Sequence, residues 1–256
     1  MADEEEKKIL EEIERNIKNP NAFNREDRAR SLGLKTKDEA KEYLDNLFTE
    51  YTFQCYGEKL VDGCYRLANY HENITHNFQE AAKIHKNICD NNDFERSCYH
   101  YGNSCLLGRG VKKDEVEGFK YHLKSCHLNN KRSCLMAGVM TYYGRNVALD
   151  TKLGVKCLEK ACDLKEPEAC LELFKINFDE KSQYKNQKNA VEFAKKSCEL
   201  GNLYGCVNAS LMYKKGDGIP KDENLAKFYR EKAETIQNLL DNPPPSIVFG
   251  ERHQDF

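Results

Sequence analysis

The sequence predicts an all-α fold, a right-handed αα-solenoid of about five helical hairpins cross-linked by disulfides. The first observation behind this is cysteine periodicity. Ten of the 12 cysteines form five pairs, Cys55/Cys64, Cys89/Cys98, Cys126/Cys134, Cys162/Cys170 and Cys198/Cys206, whose second members step by 34, 36, 36 and 36 residues. A period in the thirties belongs to stacked helical hairpins, each burying its apolar face against its neighbours. The second observation is a set of helix starts in phase. Asp114, Asp150, Asn186 and Asp222 each stand 16 residues after a paired cysteine and open a helical stretch whose first N–H groups need an acceptor. The third is a glycine turn in phase, Gly108-Arg109-Gly110 and Gly216-Asp217-Gly218, with Gly144 retaining half of that signal.

Residues 1–36 form an acidic, helix-prone extension broken at Asn19-Pro20-Asn21, read as a solvated, partly mobile arm. Residues 37–241 form the repeat region, in which a helix from about Lys37 to Phe53 caps the N-terminal end. Within each hairpin, the position four after the second cysteine is small where two helices must approach, at Ala68, Gly102, Gly138 and Ser210, with Phe174 the exception. The second helices carry Gly118, Gly154, Ala190 and Ala226 and end at Cys126, Cys162, Cys198 and, in the last unit, Glu234. The fourth unit departs from the pattern, since Lys175 to Lys185 lacks the glycine turn. Pro243-Pro244-Pro245 stops the last helix and leaves an extended tail over 242–256, whose Ile247-Val248-Phe249 can pack back on the final hairpin.

Two pairings suit the cysteines, because a first helix starts near the end of its own partner and near the end of the preceding one. Pairing within a hairpin orphans Cys55 and Cys206, whereas pairing across the short interhelix turn uses all ten and explains why Glu234 has no cysteine to meet. For so short a loop, chain entropy gives roughly 2.5 kcal/mol per bridge. The competing readings are buried thiols acting as small hydrophobes and a zinc site. Zinc knuckles need ligands two to four residues apart, which these gaps do not supply, so no metal ligand is assigned. No Cys-x-x-Cys redox motif and no haem-attachment motif occurs. Cys105 and Cys157 fall outside the phase and are read as unpaired thiols packed in the core.

Lys+Arg 40 against Asp+Glu 42 leaves a net charge of −2, so no nucleic-acid partner is expected. No segment approaches the length of a membrane span. Trp is absent, and Tyr65, Tyr99, Tyr101, Tyr142, Tyr143, Tyr213, Phe228 and Tyr229 are expected mostly in the core between repeats, a minority lining a groove. Five disulfides need an oxidising compartment, yet the first thirty residues show neither an apolar secretory segment nor a basic amphipathic presequence. The two sequons, Asn73-Ile74-Thr75 and Asn208-Ala209-Ser210, are read as chance matches. The compartment expected is the mitochondrial intermembrane space, where oxidation itself traps imported chains.

The residues that carry a family resemblance are Asp62-Gly63-Cys64-Tyr65-Arg66-Leu67, Asn77-Phe78-Gln79-Glu80-Ala81-Ala82-Lys83, Ala161-Cys162-Asp163-Leu164, Cys206-Val207-Asn208-Ala209-Ser210-Leu211-Met212-Tyr213-Lys214 and Phe249-Gly250. They resemble Sel-1-like units, relatives of the tetratricopeptide repeat, in the cysteine-bridged form of the cysteine-rich Hcp proteins. More narrowly, Lys37 to Gly250 resembles the cytochrome c oxidase assembly factor 7 family. The resemblance implies a soluble intermembrane-space factor in complex IV biogenesis, with complex IV subunits, other assembly factors and the oxidative import machinery as partners.

Three function classes follow. The first is a binding scaffold with no chemistry of its own. The second is a cofactor or thiol-redox handler. No cofactor is firmly assigned, but His85, His100, His122 and His127 with Met136 and Met140 are candidate axial ligands for a non-covalent haem. The third is a β-lactam-binding hydrolase of the kind associated with the bacterial relatives. That chemistry needs Ser-x-x-Lys with Ser-Asp-Asn and Lys-Thr-Gly elements. Only Ser182-Gln183-Tyr184-Lys185 is present, so no catalytic residue is assigned.

Overall fold

The computed structural model describes residues 36–242. They comprise eleven α-helices and one π-helical turn, with no strand among the described residues. In chain order these are α1 (Lys37–Thr52), the π-turn (Phe53–Gly57), α2 (Val61–Asn73), α3 (Phe78–Asn92), α4 (Glu95–Leu107), α5 (Glu115–His127), α6 (Lys131–Tyr143), α7 (Thr151–Asp163), α8 (Pro167–Phe178), α9 (Gln187–Glu199), α10 (Leu203–Lys215) and α11 (Glu223–Asp241). The chain divides into two compact units, the second beginning at Phe78. The expected extension and the Ile247-Val248-Phe249 segment lie outside the described residues. Among the described residues, no helix is long and apolar enough to cross a membrane.

In the first unit, α1 opens on a capping box in which Thr36 Oγ1 accepts from the Glu39 N–H and Glu39 reaches back to the Thr36 N–H. Its end relaxes into the π-turn, where Glu58 N–H donates to Phe53 O and Leu60 N–H to Gln54 O. This brings Cys55 to Cys64, with Cα atoms 4.3 Å apart. Phe48 packs on Tyr70 and His71, ring centroids 5.5 and 5.7 Å away.

In the second unit the hairpins α4–α5, α6–α7, α8–α9 and α10–α11 stack in chain order, and their second helices all start in the same way. Asp114, Asp150, Asn186 and Asp222 cap α5, α7, α9 and α11, each side chain accepting from the N–H three residues on. The helices of a hairpin meet at the small residues. A Cβ on Gly154 would lie 2.7 Å from the backbone N of Tyr142, so only glycine allows that approach of α7 to α6. In the last hairpin the contact is polar, Ser210 Oγ donating to Ala226 O at 2.7 Å.

The first helices close in the left-handed conformation at Gly108, Gly144 and Gly216. The second positive-φ position of this turn is Gly110 or Gly218, and in the α6–α7 turn Asn146 takes it at φ 61, which completes the half-signal at Gly144. Asparagine tolerates this region better than most residues. Where the glycines are missing, α8 instead ends at Phe178 with an extended Asp179, and Phe174, in the position expected to be small, is buried and stacked on Phe178 at 5.4 Å.

The last helix runs past Glu234, where the second helices' spacing alone would end it, to Asp241, the end of the expected repeat region. Tyr101 and Tyr229 are core residues as expected, while Tyr143 and Phe228 are exposed.

Candidate functional site

All five expected bridges have the geometry for a disulfide. In the second unit the pairs Cys89–Cys98, Cys126–Cys134, Cys162–Cys170 and Cys198–Cys206 have Cα separations of 4.8, 4.5, 4.8 and 4.5 Å. Each joins the end of a second helix to the first turn of the next hairpin. Inside every bridged loop one residue has positive φ: Lys59, Asp93, Asn129, Lys165 or Gly201. The sequence reading missed this position because only one of the five is glycine. Cys105 and Cys157 are buried and unpaired, and burial pushes both thiols above their ordinary pKa.

A ladder of lysines runs alongside the bridges. Lys124 Nζ donates to Cys89 O at 2.7 Å and pairs with Asp93, Lys160 Nζ donates to His127 O at 3.3 Å, and Lys196 Nζ bonds Asp163 Oδ1 at 2.9 Å. Each places a cation at the carbonyl end of the preceding repeat's second helix, where the helix dipole favours it.

The candidate haem ligands separate into buried and accessible groups. His122 is fully buried. Its Nδ1 lies 3.4 Å from Ser133 Oγ, Ser133 Oγ donates to Ser125 Oγ at 2.8 Å, and Ser125 Oγ donates to Glu95 O at 2.7 Å. Because that chain ends on a carbonyl, every donor in it points one way, and Nδ1 carries the proton. Nε2 lies against Gly102, where a Cβ would come within 3.1 Å, and has no hydrogen-bond partner among the described residues. A second proton there would be buried without an acceptor, and desolvation holds the imidazole down at about 4.

His85 occupies the same register one repeat earlier, its Nδ1 lying 3.2 Å from Ser97 Oγ, and stacks on His100 with centroids 4.6 Å apart. The signal for these pairs was present in the sequence: each histidine precedes a first cysteine by four residues and each serine immediately precedes a second cysteine. Leu158 with Ala169, and Ala194 with Gly205, replace them in later repeats. Met140 is buried, Met136 and His100 are partly exposed, and His127 is exposed at the end of α5. His100 and Met136 share a register, two residues after the second cysteine on α4 and α6.

The isolated Ser-x-x-Lys does not assemble. Ser182 Oγ accepts from the Tyr184 N–H at 3.1 Å, while the Lys185 amine pairs with Glu180.

The first helices also carry a row of side chains one residue after the second cysteine: Tyr99, Leu135, Leu171 and Val207. Tyr99 and Leu135 are partly buried and Leu171 is buried. On α10 the row widens into an apolar stripe at helical spacing, with Tyr204 66%, Val207 39% and Leu211 45% exposed.

These features define a disulfide-stapled repeat protein built from helical hairpins. The Sel1 repeat family model matches residues 96–130, 131–166, 167–202 and 203–234, one hairpin each. Cytochrome c oxidase assembly factor 7 of Xenopus tropicalis is 39% identical over 86% of this chain and 98% of its own length, and cytochrome c oxidase assembly factor 7A of Xenopus laevis is 37% identical over the same shares. The chain therefore belongs to the Sel1 repeat family and, within it, to the cytochrome c oxidase assembly factor 7 family. A Sel1 repeat protein of Oxalobacter formigenes has the same fold, with a TM-score of 0.64 at 18% identity over 78% of this chain and 85% of that one.

Proposed function

We propose that the chain is a binding scaffold in the assembly of cytochrome c oxidase, acting in the mitochondrial intermembrane space on complex IV subunits or other assembly factors. The relatives' names support the process and the mitochondrial setting, and the bridges support an oxidising compartment within it. The observation that carries the scaffold mechanism is the Tyr204–Val207–Leu211 stripe, because three exposed apolar side chains on one rigid helix face suit capture of an apolar segment. The test is complementation of cells lacking the protein with wild type or with Tyr204→Glu/Leu211→Glu, scoring assembled complex IV on native gels and co-purified subunits. The double variant should keep its helical circular dichroism and lose both. Full complex IV with the variant would refute the scaffold face.

A second reading, haem handling, is favoured by the shared register of His100 and Met136 on neighbouring first helices. It requires a Soret band on adding haem to the oxidised protein, lost in His100→Ala.

A further inference from the structure

We infer that the Cys55–Cys64 bridge is a thiol–disulfide exchange site, open to a glutathione-type thiol while the other four bridges stay closed. The first observation is access. The eight cysteines of the other bridges are each at most 2% exposed, whereas Cys64 is partly exposed. An attacking thiolate must reach a sulfur along the S–S axis, so access decides which bridge reacts.

The second observation is packing. Cys89 and Cys98, Cys126 through Cys170, and Cys198 and Cys206 all belong to hydrophobic core clusters, and Cys55 and Cys64 belong to none of these three. A local opening that exposes one of the eight must break one of these clusters, whereas Cys64 is partly exposed as folded, its partner Cys55 being 5% exposed.

The third observation is the backbone around the bridge. Cys55 sits in the π-turn rather than in the last turn of an α-helix, and Phe53, Tyr56 and Leu60 beside it are 62%, 59% and 48% exposed. Cys89, Cys126, Cys162 and Cys198 all lie in regular second helices.

The step balances with one co-reactant. A thiolate sulfur bonds to Cys64 Sγ, the Cys64–Cys55 bond breaks, and its electron pair leaves on Cys55 Sγ, which then takes a proton from water. The product is a mixed disulfide on Cys64 and a thiol on Cys55, and a second thiolate completes the reduction.

The experiment exposes the full-length oxidised protein to graded reduced glutathione, quenches with N-ethylmaleimide and maps every cysteine by mass spectrometry over time. The expected result is a glutathione adduct on Cys64 with maleimide on Cys55, forming at least about tenfold faster than any product at the other eight cysteines. Far-UV circular dichroism should be unchanged at that stage. Opening of another bridge first, or of all five together, would overturn the inference. In Cys55→Ala/Cys64→Ala the early product should vanish while the slow ones keep their rates. Fast labelling that persists elsewhere in that variant would equally overturn it.

Discussion

The buried imidazole of His122 should make the second unit acid-sensitive by an amount the structure sets. Its folded pKa of about 4 lies below the ordinary imidazole value of 6.5. Between those values the unfolded chain binds a proton that the folded chain does not, so stability rises with pH through the window and falls as pH drops from about 6.5 to about 4. Each pH unit inside it is worth about 1.4 kcal/mol, and the whole window roughly 3 kcal/mol.

His122→Leu removes the titrating group using the residue that the next repeat places there, Leu158. Ser133 keeps its bond to Ser125 in that variant, so no buried hydroxyl is orphaned. Urea unfolding with the bridges intact, followed by circular dichroism from pH 7 to pH 4, should show the wild type losing roughly 3 kcal/mol more than the variant. Other titrating groups, such as Glu166, whose carboxyl desolvation pushes upward, contribute to both proteins and cancel in the difference. Parallel pH profiles for the two proteins would refute the reasoning.

Two further outcomes follow from the repeat anatomy. Cys162→Ala/Cys170→Ala should lower the stability of the oxidised protein by roughly 2.5 kcal/mol, the chain-entropy value for so short a loop, and reducing agent should narrow the gap; urea midpoints with and without reductant check this. Gly154→Ala should destabilise by about 1–3 kcal/mol in thermal or urea unfolding, because the added methyl meets Tyr142 backbone at 2.7 Å and that crowding outweighs alanine's better helix propensity.

What the sequence made legible was local and periodic. The four N-caps each act within three residues, and each bridge spans eight or nine, so spacing together with the unmatched chain ends placed them. What it hid depends on neighbours that spacing does not name. Tyr143 and Phe228 fall in helical segments like Tyr101 and Tyr229, and only packing separates exposed from buried. The left-handed residue was invisible in four of the five bridged loops because lysine, aspartate and asparagine occupy a conformation usually signalled by glycine. The His122–Ser133 pair was readable in principle, but it required comparing registers across repeats rather than weighing histidines singly as ligands.

The bridges also determine how the covalent network responds to cutting. Each disulfide closes a small ring around an interhairpin turn, and no ring encloses the turn inside a hairpin, such as the stretch from Gly144 to Leu149. A single proteolytic nick there would sever the covalent path between the two ends of the chain, even when every disulfide is intact. The resulting fragments would remain associated only through non-covalent contacts, among them the packing of α6 on α7 and the Lys160–His127 bond, and denaturant without reductant would separate them.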